Sequence, residues 1–157
     1  VSDVVRLNGC WTTIPPGEVP AHDASCAEAL EKEGSVSTIY RVTPEERVES
    51  QPTPGIVREQ AVRTEGMWSG LARTDAGMVS GWHHHGVYES TIYVLTGSLR
   101  MEFGAGGQGS FDAGPGDFVF VGKEIVHRES NPSGEEATFV VVRAGEGEAV
   151  VNVDGPE

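Results

Sequence analysis

Turn-forming residues cut this chain into pieces too short for anything but strands. Past residue 36, four clusters interrupt it: Thr74-Asp75-Ala76-Gly77, Gly104-Ala105-Gly106-Gly107, Ala113-Gly114-Pro115-Gly116 and Asn131-Pro132-Ser133-Gly134. Each provides the positive φ of glycine or the fixed φ of proline that a tight turn requires. With 21 glycines and 9 prolines among 157 residues, the chain argues against a helical bundle and for an all-β fold. Predicted strands run over 38–42, 56–63, 67–73, 78–85, 91–95, 98–103, 118–121, 125–129, 138–143 and 149–153. These runs are rich in β-branched and aromatic residues, and several alternate apolar with polar. In Leu99-Arg100-Met101-Glu102-Phe103 the apolar residues share one face, leaving Arg100 and Glu102 to solvent. Short strands at this spacing predict a sandwich or barrel of jelly-roll type, as one domain, because the chain is too short for a second full core.

Residues 1–36 read differently. Pro15, Pro16, Gly17 and Pro20 punctuate an extended stretch, and Ser25-Cys26-Ala27-Glu28 offers a capping box for a helix over 27–33, with Gly34 suited to end it. Two turns of helix are unstable alone, so this segment is expected to be a leader, loosely docked or disordered. The expected domain spans 37–153, with 154–157 as a tail. The formal charge of −13 repels phosphate backbones and anionic membrane surfaces, which argues against nucleic-acid and membrane partners. Cys10 and Cys26 lie too close to one end to staple the rest, and two unpaired thiols are expected. Residues 1–6 lack the layout of a secretory signal, so a cytoplasmic location is the expectation.

Four of the five histidines are candidates for one site. Strand alternation lets His83 and His85 point together while His84 faces away, and Trp82 should face opposite His83. Glu89 follows His85 by four residues, close enough to reach back, and His127 lies on a later strand that a closed barrel brings alongside. Imidazoles and a carboxylate converging inside a barrel form a metal-site constellation. Glu129 shares the strand parity of His127 and is a candidate for orienting an imidazole. Trp68, Tyr93, Phe118 and Phe120 are candidates for lining the cavity, and His22 is incidental.

Two segments carry a family resemblance. Gly77-Met78-Val79-Ser80-Gly81-Trp82-His83-His84-His85-Gly86-Val87-Tyr88-Glu89 resembles the first half of cupin motif 1, a glycine, five residues, His-x-His and a Glu. The run from Thr91 to Gly97 resembles its second half. Gly116, then after five residues Gly122-Lys123-Glu124-Ile125-Val126-His127, then Asn131, is similar to motif 2, with Gly122-Lys123-Glu124 replacing the usual Pro-x-Gly. The resemblance covers residues 37–153 and implies a small single-domain cupin: a double-stranded β-helix, or jelly-roll barrel, around one divalent metal ion. It implies His83, His85, Glu89 and His127 as ligands, with Asn131 at the motif 2 asparagine. The register to Gly97 selects Ser90 where the offset from His85 selects Glu89. One alternative is therefore three histidines plus Glu89, the other a three-histidine site.

Imidazole and carboxylate suit Fe(II), Mn, Ni or Zn, and the absence of a nearby thiolate argues against soft-metal and iron–sulfur chemistry. The resemblance implies an enzyme acting on a small organic substrate, with dioxygenase-type oxidoreductase chemistry favoured. Non-redox Lewis-acid isomerase, cyclase or lyase work, with Glu129 or Tyr93 as base, is the alternative. A non-catalytic metal- or ligand-binding module is the third reading. A homodimer is expected, since jelly-roll sheet edges must be covered or paired.

Overall fold

The computed structural model describes residues 3–7, 10–14, 39–53, 55–147 and 150–157. They belong to two compact units, Val1–Tyr40 and Arg41–Glu157. In the first unit, β1 (Asp3–Leu7) and β2 (Cys10–Ile14) form an antiparallel hairpin with Leu7 opposite Cys10. The sequence reading had no strand here, although Val4, Val5, Thr12, Thr13 and Ile14 are good strand formers. His22, Cys26, the capping box and the expected helix over 27–33 lie outside the described residues. Among the described residues no helix is long and apolar enough to cross a membrane.

The second unit is built from two antiparallel sheets. One has six strands, in the order β10 (Phe118–Val121), β7 (Glu89–Thr96), β12 (Ala137–Ala144), β5 (Met67–Thr74), β4 (Ile56–Arg63) and β3 (Val48–Thr53). The other has five, in the order β13 (Val151–Asn152), β6 (His83–His84), β11 (His127–Ser130), β8 (Leu99–Phe103) and β9 (Gly109–Ala113). Their inner faces share one core of Trp68, Ile92, Val94, Leu99, Met101, Val119, Val121, Phe139 and Val141 with smaller alanines. Alternation places these side chains inward: β12 buries Ala137, Phe139, Val141 and Arg143 and turns the residues between them outward. Burying a side chain such as Leu99 or Phe139 contributes about 1.5–3 kcal/mol. The expected all-β jelly roll is thus the observed architecture.

Two strands of this unit also escaped the sequence reading. β3 contains Pro52 and few apolar residues, which an edge strand tolerates because its outer side needs no ladder bond. β9, with the sequence GSFDA, follows a glycine-rich turn and is also an edge. It is held to β8 by register, and by the Arg100 guanidinium donating to both carboxylate oxygens of Asp112 at 2.6 and 2.8 Å. Of the strand expected over 38–42, the described residues 39–42 form no strand, and a 3-10 turn, Pro44–Glu46, follows them. The expected strand over 78–85 contracts to an isolated bridge at Val79 and the two-residue β6.

The short β6 is fixed from both sides. It pairs with β11 through His83 opposite His127, and with β13 through His83 opposite Asn152. Gly97 closes the turn after β7 at φ +76, and a Cβ there would lie 2.5 Å from that of Ala137, so the position admits only glycine. Asn131 is buried after β11. Its Nδ2 donates to the carbonyls of Thr74, Asp75 and Glu135, and its Oδ1 accepts from the Ser133 amide and hydroxyl. This is the turn-holding role expected of it.

Candidate metal centre

The pairing of β6 with β11 puts His83 and His127 side by side, with ring centroids 4.4 Å apart and the rings tilted by 54°. His85, just past β6, completes the group with its ring 5.4 Å from His83 and 4.8 Å from His127. All three are buried, at 4%, 1% and 1% exposure for His83, His85 and His127. The fourth member is Glu129, two residues beyond His127 on the same face of β11. One ligand atom from each of His83, His85, His127 and Glu129 lies within 4.8 Å of every other. The Glu129 backbone is clamped to the loop preceding β6: its carbonyl accepts from the Ser80 amide at 2.8 Å, and its amide donates to Ser80 Oγ at 2.9 Å.

Hydrogen bonds on the outer ring nitrogens fix which nitrogen faces inward. His83 Nδ1 donates to the Gly81 carbonyl at 3.0 Å, and His127 Nδ1 donates to the Ile125 carbonyl at 2.8 Å. A carbonyl only accepts, so both rings carry a proton on Nδ1, and the tautomer this selects has its lone pair on Nε2. His85 Nδ1 lies 2.7 Å from Ser90 Oγ, and the same tautomer follows when the hydroxyl accepts. All three Nε2 atoms are buried without a hydrogen-bond partner. Glu129 Oε1 stands 3.8 Å from His127 Nε2 and 4.0 Å from His83 Nε2, longer than a hydrogen bond.

Such lone pairs, converging and unsatisfied, are costly unless something electrophilic lies between them. Three neutral imidazoles and one carboxylate are a donor set for a divalent cation, each ring backed by a partner that fixes its orientation. The protonation states agree. Burial pushes the His85 imidazole down to about 3, helped by the nearby Arg143 charge, and burial likewise lowers His83. Burial alone would raise the Glu129 carboxyl, but its contact with His127 and the neighbouring His83 and His85 turn the shift downward, leaving an anion.

His83, His85 and His127 therefore stand together as the sequence suggested, and Glu89 does not stand with them. Glu89 is exposed at the start of β7, and the next residue, Ser90, is fully buried and bonded to His85. Strand alternation is the cause, since Ser90, Ile92 and Val94 face inward and Glu89 cannot. The carboxylate of the group is Glu129, whose parity with His127 was the available signal. His84 turns away and accepts from the Gly86 amide at 3.0 Å, holding the turn. Trp82 faces outward beneath Arg128, whose guanidinium lies 4.8 Å from the ring and donates twice to Glu102 at 2.7 Å.

Of the aromatic residues expected to line a cavity, Trp68 is buried in the core, with Nε1 donating to Gln60 Oε1. Tyr93 packs against Phe118 on the outer face of the sheet, where Phe118 is 73% exposed. Phe120 is largely exposed but borders an apolar cavity lined by Met101, Phe103, Phe111, Val121 and Ile125, which reaches His127. A second cavity lies toward the six-stranded sheet. It reaches His85 and Glu129 and is lined by Arg58 and Arg143 among apolar residues. The sequence reading missed both arginines, which sit at inward positions of β4 and β12 otherwise held by Ile56, Phe139 and Val141.

The comparisons with known proteins agree with this fold. Residues 70–143 match the family model described as Cupin domain. No curated protein matches the chain in a sequence search. Solved structures do match in fold. The polyketide cyclase RemF from Streptomyces resistomycificus aligns at 21% identity and a TM-score of 0.60, over 74% of this chain and 86% of that one. KdgF from a Halomonas species aligns at 18% identity and 0.58, over 68% and 94%. Oxalate decarboxylase from Bacillus subtilis aligns at 21% identity and 0.57, over 65% of this chain and 28% of that one. From the motifs, the two-sheet architecture and the matched residues together, this chain carries a cupin domain.

Proposed function

We propose that this chain is a mononuclear metal-dependent enzyme acting on a small organic molecule, with dioxygenase-type chemistry ahead of non-redox chemistry. The observation that carries the reading is the set of three buried Nε2 atoms without partners, facing one another beside Glu129 Oε1. When bound, a divalent ion would supply a Lewis-acidic centre, redox-active if it is iron, with positions left for substrate. His83, His85 and His127 would hold it through Nε2, and Glu129 would offer an anionic oxygen. Gly81, Ile125 and Ser90 keep the rings from turning. The apolar cavity at His127 admits a hydrocarbon or aromatic group and keeps bulk water from the ring.

The preference for oxidation rests on what surrounds the ring. Proton-transfer chemistry needs a base within reach of the substrate. Among the described residues lining the two cavities, the only group of that kind besides the imidazoles is Glu129. Tyr93, the other candidate base, faces outward against Phe118. Lewis-acid isomerisation, cyclisation or lyase work would therefore fall to Glu129 as base, which removes it from the donor set.

Anaerobic purification with metal analysis, followed by oxygen uptake on a panel of small diketones, thiols and phenols, tests the reading. Bound iron with substrate-dependent oxygen consumption is the expected result. Zinc or manganese with turnover but no oxygen uptake would shift the reading to Lewis-acid chemistry. A stably bound metal with no turnover across the panel would make this a binding module.

A further inference from the structure

The cavity beside His127 lies between edge strands of the two sheets. Met101 and Phe103 of β8 with Phe111 of β9 form one wall, and Val119 and Val121 of β10 form the other. Its volume is about 210 Å3, against about 150 Å3 for a dry apolar cavity that accepts benzene. That is room for one ring with a short substituent. Of the nine residues that line it, His127 alone has a side chain carrying nitrogen or oxygen. An ionised group between such walls would have no partner, and the formal charge of −13 further disfavours an anion. Phe103 and Phe111 meet edge to face, with centroids 5.7 Å apart and planes at 61°. Aromatic edges and the Met101 thioether both favour a flat ring as neighbour.

Gly122 keeps this cavity open. It stands in place of the usual motif 2 proline, and its backbone is not among the glycines at positive φ. A Cβ there would meet Ile125 Cγ1 at 3.5 Å and Phe120 Cε1 at 3.8 Å, which is ordinary contact. The backbone therefore does not require glycine at this position, and what the missing side chain provides is space. We propose that this cavity is a binding pocket for an uncharged aromatic ring, and that the substrate of the metal centre is a monocyclic aryl compound with its polar group at the His127 end. The claim about substrate class rests on the metal-enzyme reading above, whereas the aryl pocket itself does not. Phe120 and Ile125, both exposed, form the rim past which the ring enters.

Calorimetric titration of the metal-free full chain with 4-methylphenol, 4-methylbenzoate and 4-methylcyclohexanol tests the pocket directly. The phenol should bind about tenfold or more tightly than the benzoate, which brings a charge, and about threefold more tightly than the cyclohexanol, which lacks the flat ring. Gly122→Leu fills the cavity and should weaken 4-methylphenol binding by about tenfold while changing Zn2+ affinity by less than about twofold. If that variant fails to fold, Gly122→Ala adds only the Cβ and should weaken binding by about threefold. The comparison of the three compounds in the unaltered protein needs no variant at all. Equal binding of 4-methylphenol and either other compound, no saturation by it in the millimolar range, or a folded Gly122→Leu protein of undiminished affinity would each overturn the pocket. A dimer in sedimentation that does not take up 4-methylphenol would also overturn it, and would assign the exposed rim to a second copy of the chain. Protein that holds 4-methylphenol but not Zn2+ would overturn the metal reading and support the pocket, and the reverse pattern would do the opposite.

Discussion

The two sheets bring opposite chemistry to one interior. The five-stranded sheet contributes His83, His127 and Glu129 through β6 and β11, which are lone pairs and a negative charge. The six-stranded sheet contributes Arg58 and Arg143 through β4 and β12, together with Ser90, which holds His85. His83 and His85 tolerate burial by shifting toward the neutral form, whereas the guanidiniums cannot lose their charge. One sheet thus brings a donor set suited to a cation, and the other brings two buried cations of its own. The residues between them, Ile92, Leu99, Phe139 and Val141, are ordinary core. Polar function here is a local substitution in an apolar pattern, costly to the fold and tied to particular strands.

Acid should break the symmetry between the sheets most strongly. His85 is held at about 3 against an ordinary 6.5, and His83 is lowered too, so below 6.5 the unfolded chain takes up protons that the folded one refuses. Glu129, lowered from 4.5, adds stability above that value and loses it as pH falls further. Both effects have one sign. Metal-free protein should lose on the order of a few kcal/mol between pH 6.5 and about 3 in denaturant titrations. The arginines do not titrate in this window, and a flat profile would mean the rings are not buried neutral.

Exchanging carboxylates sharpens the account of the anionic side. Glu129→Gln should lower Zn2+ affinity by roughly a hundredfold, because it removes the one charged donor. Glu89→Gln, on the exposed side of β7, should change it by less than about twofold. The opposite ranking in a competitive chelator titration would return the ligand role to Glu89. A smaller effect is expected across the sheets: Ser90→Ala removes the partner of His85 Nδ1 and should cost about tenfold in Zn2+ affinity, with little change in unfolding midpoint.

The smallest expected effect concerns the loop leading into β11. Glu124 adopts φ 57, the left-handed region that a non-glycine residue enters at a cost, and its amide donates to the Gly86 carbonyl at 2.8 Å beside the histidine turn. It occupies the place where the motif's Pro-x-Gly would put glycine. Glu124→Gly should stabilise the fold by about 0.5–1 kcal/mol, after allowing for the greater freedom of glycine in the unfolded chain. A lowered melting temperature would show that the Glu124 side chain contributes more than its backbone strain costs.

The strands richest in β-branched and aromatic residues were legible almost to the residue: 56–63 and 118–121 match β4 and β10. The edge strands β3 and β9 were not, because they are stabilised by pairing rather than by an apolar face. His83, His85 and His127 followed from alternation and motif spacing. Glu89 was chosen by its distance along the chain from His85, whereas the buried Ile92 and Val94 of its own strand dictate that Ser90 points inward. Glu129 was readable by parity with His127 but was assigned a supporting place. Arg58 and Arg143 were passed over because an arginine in a strand usually reaches solvent, and only the closed sandwich reveals them as inward-facing.

The central claim is that histidines from separate strands, with Glu129, form one cation site. Metal-edge X-ray absorption on the Zn2+-loaded full chain addresses it without assuming any reaction. The account predicts one ion per chain with three imidazole nitrogens at about 2.0–2.1 Å and oxygen completing the shell. One imidazole or none in that shell, or sulfur in it, would contradict the account.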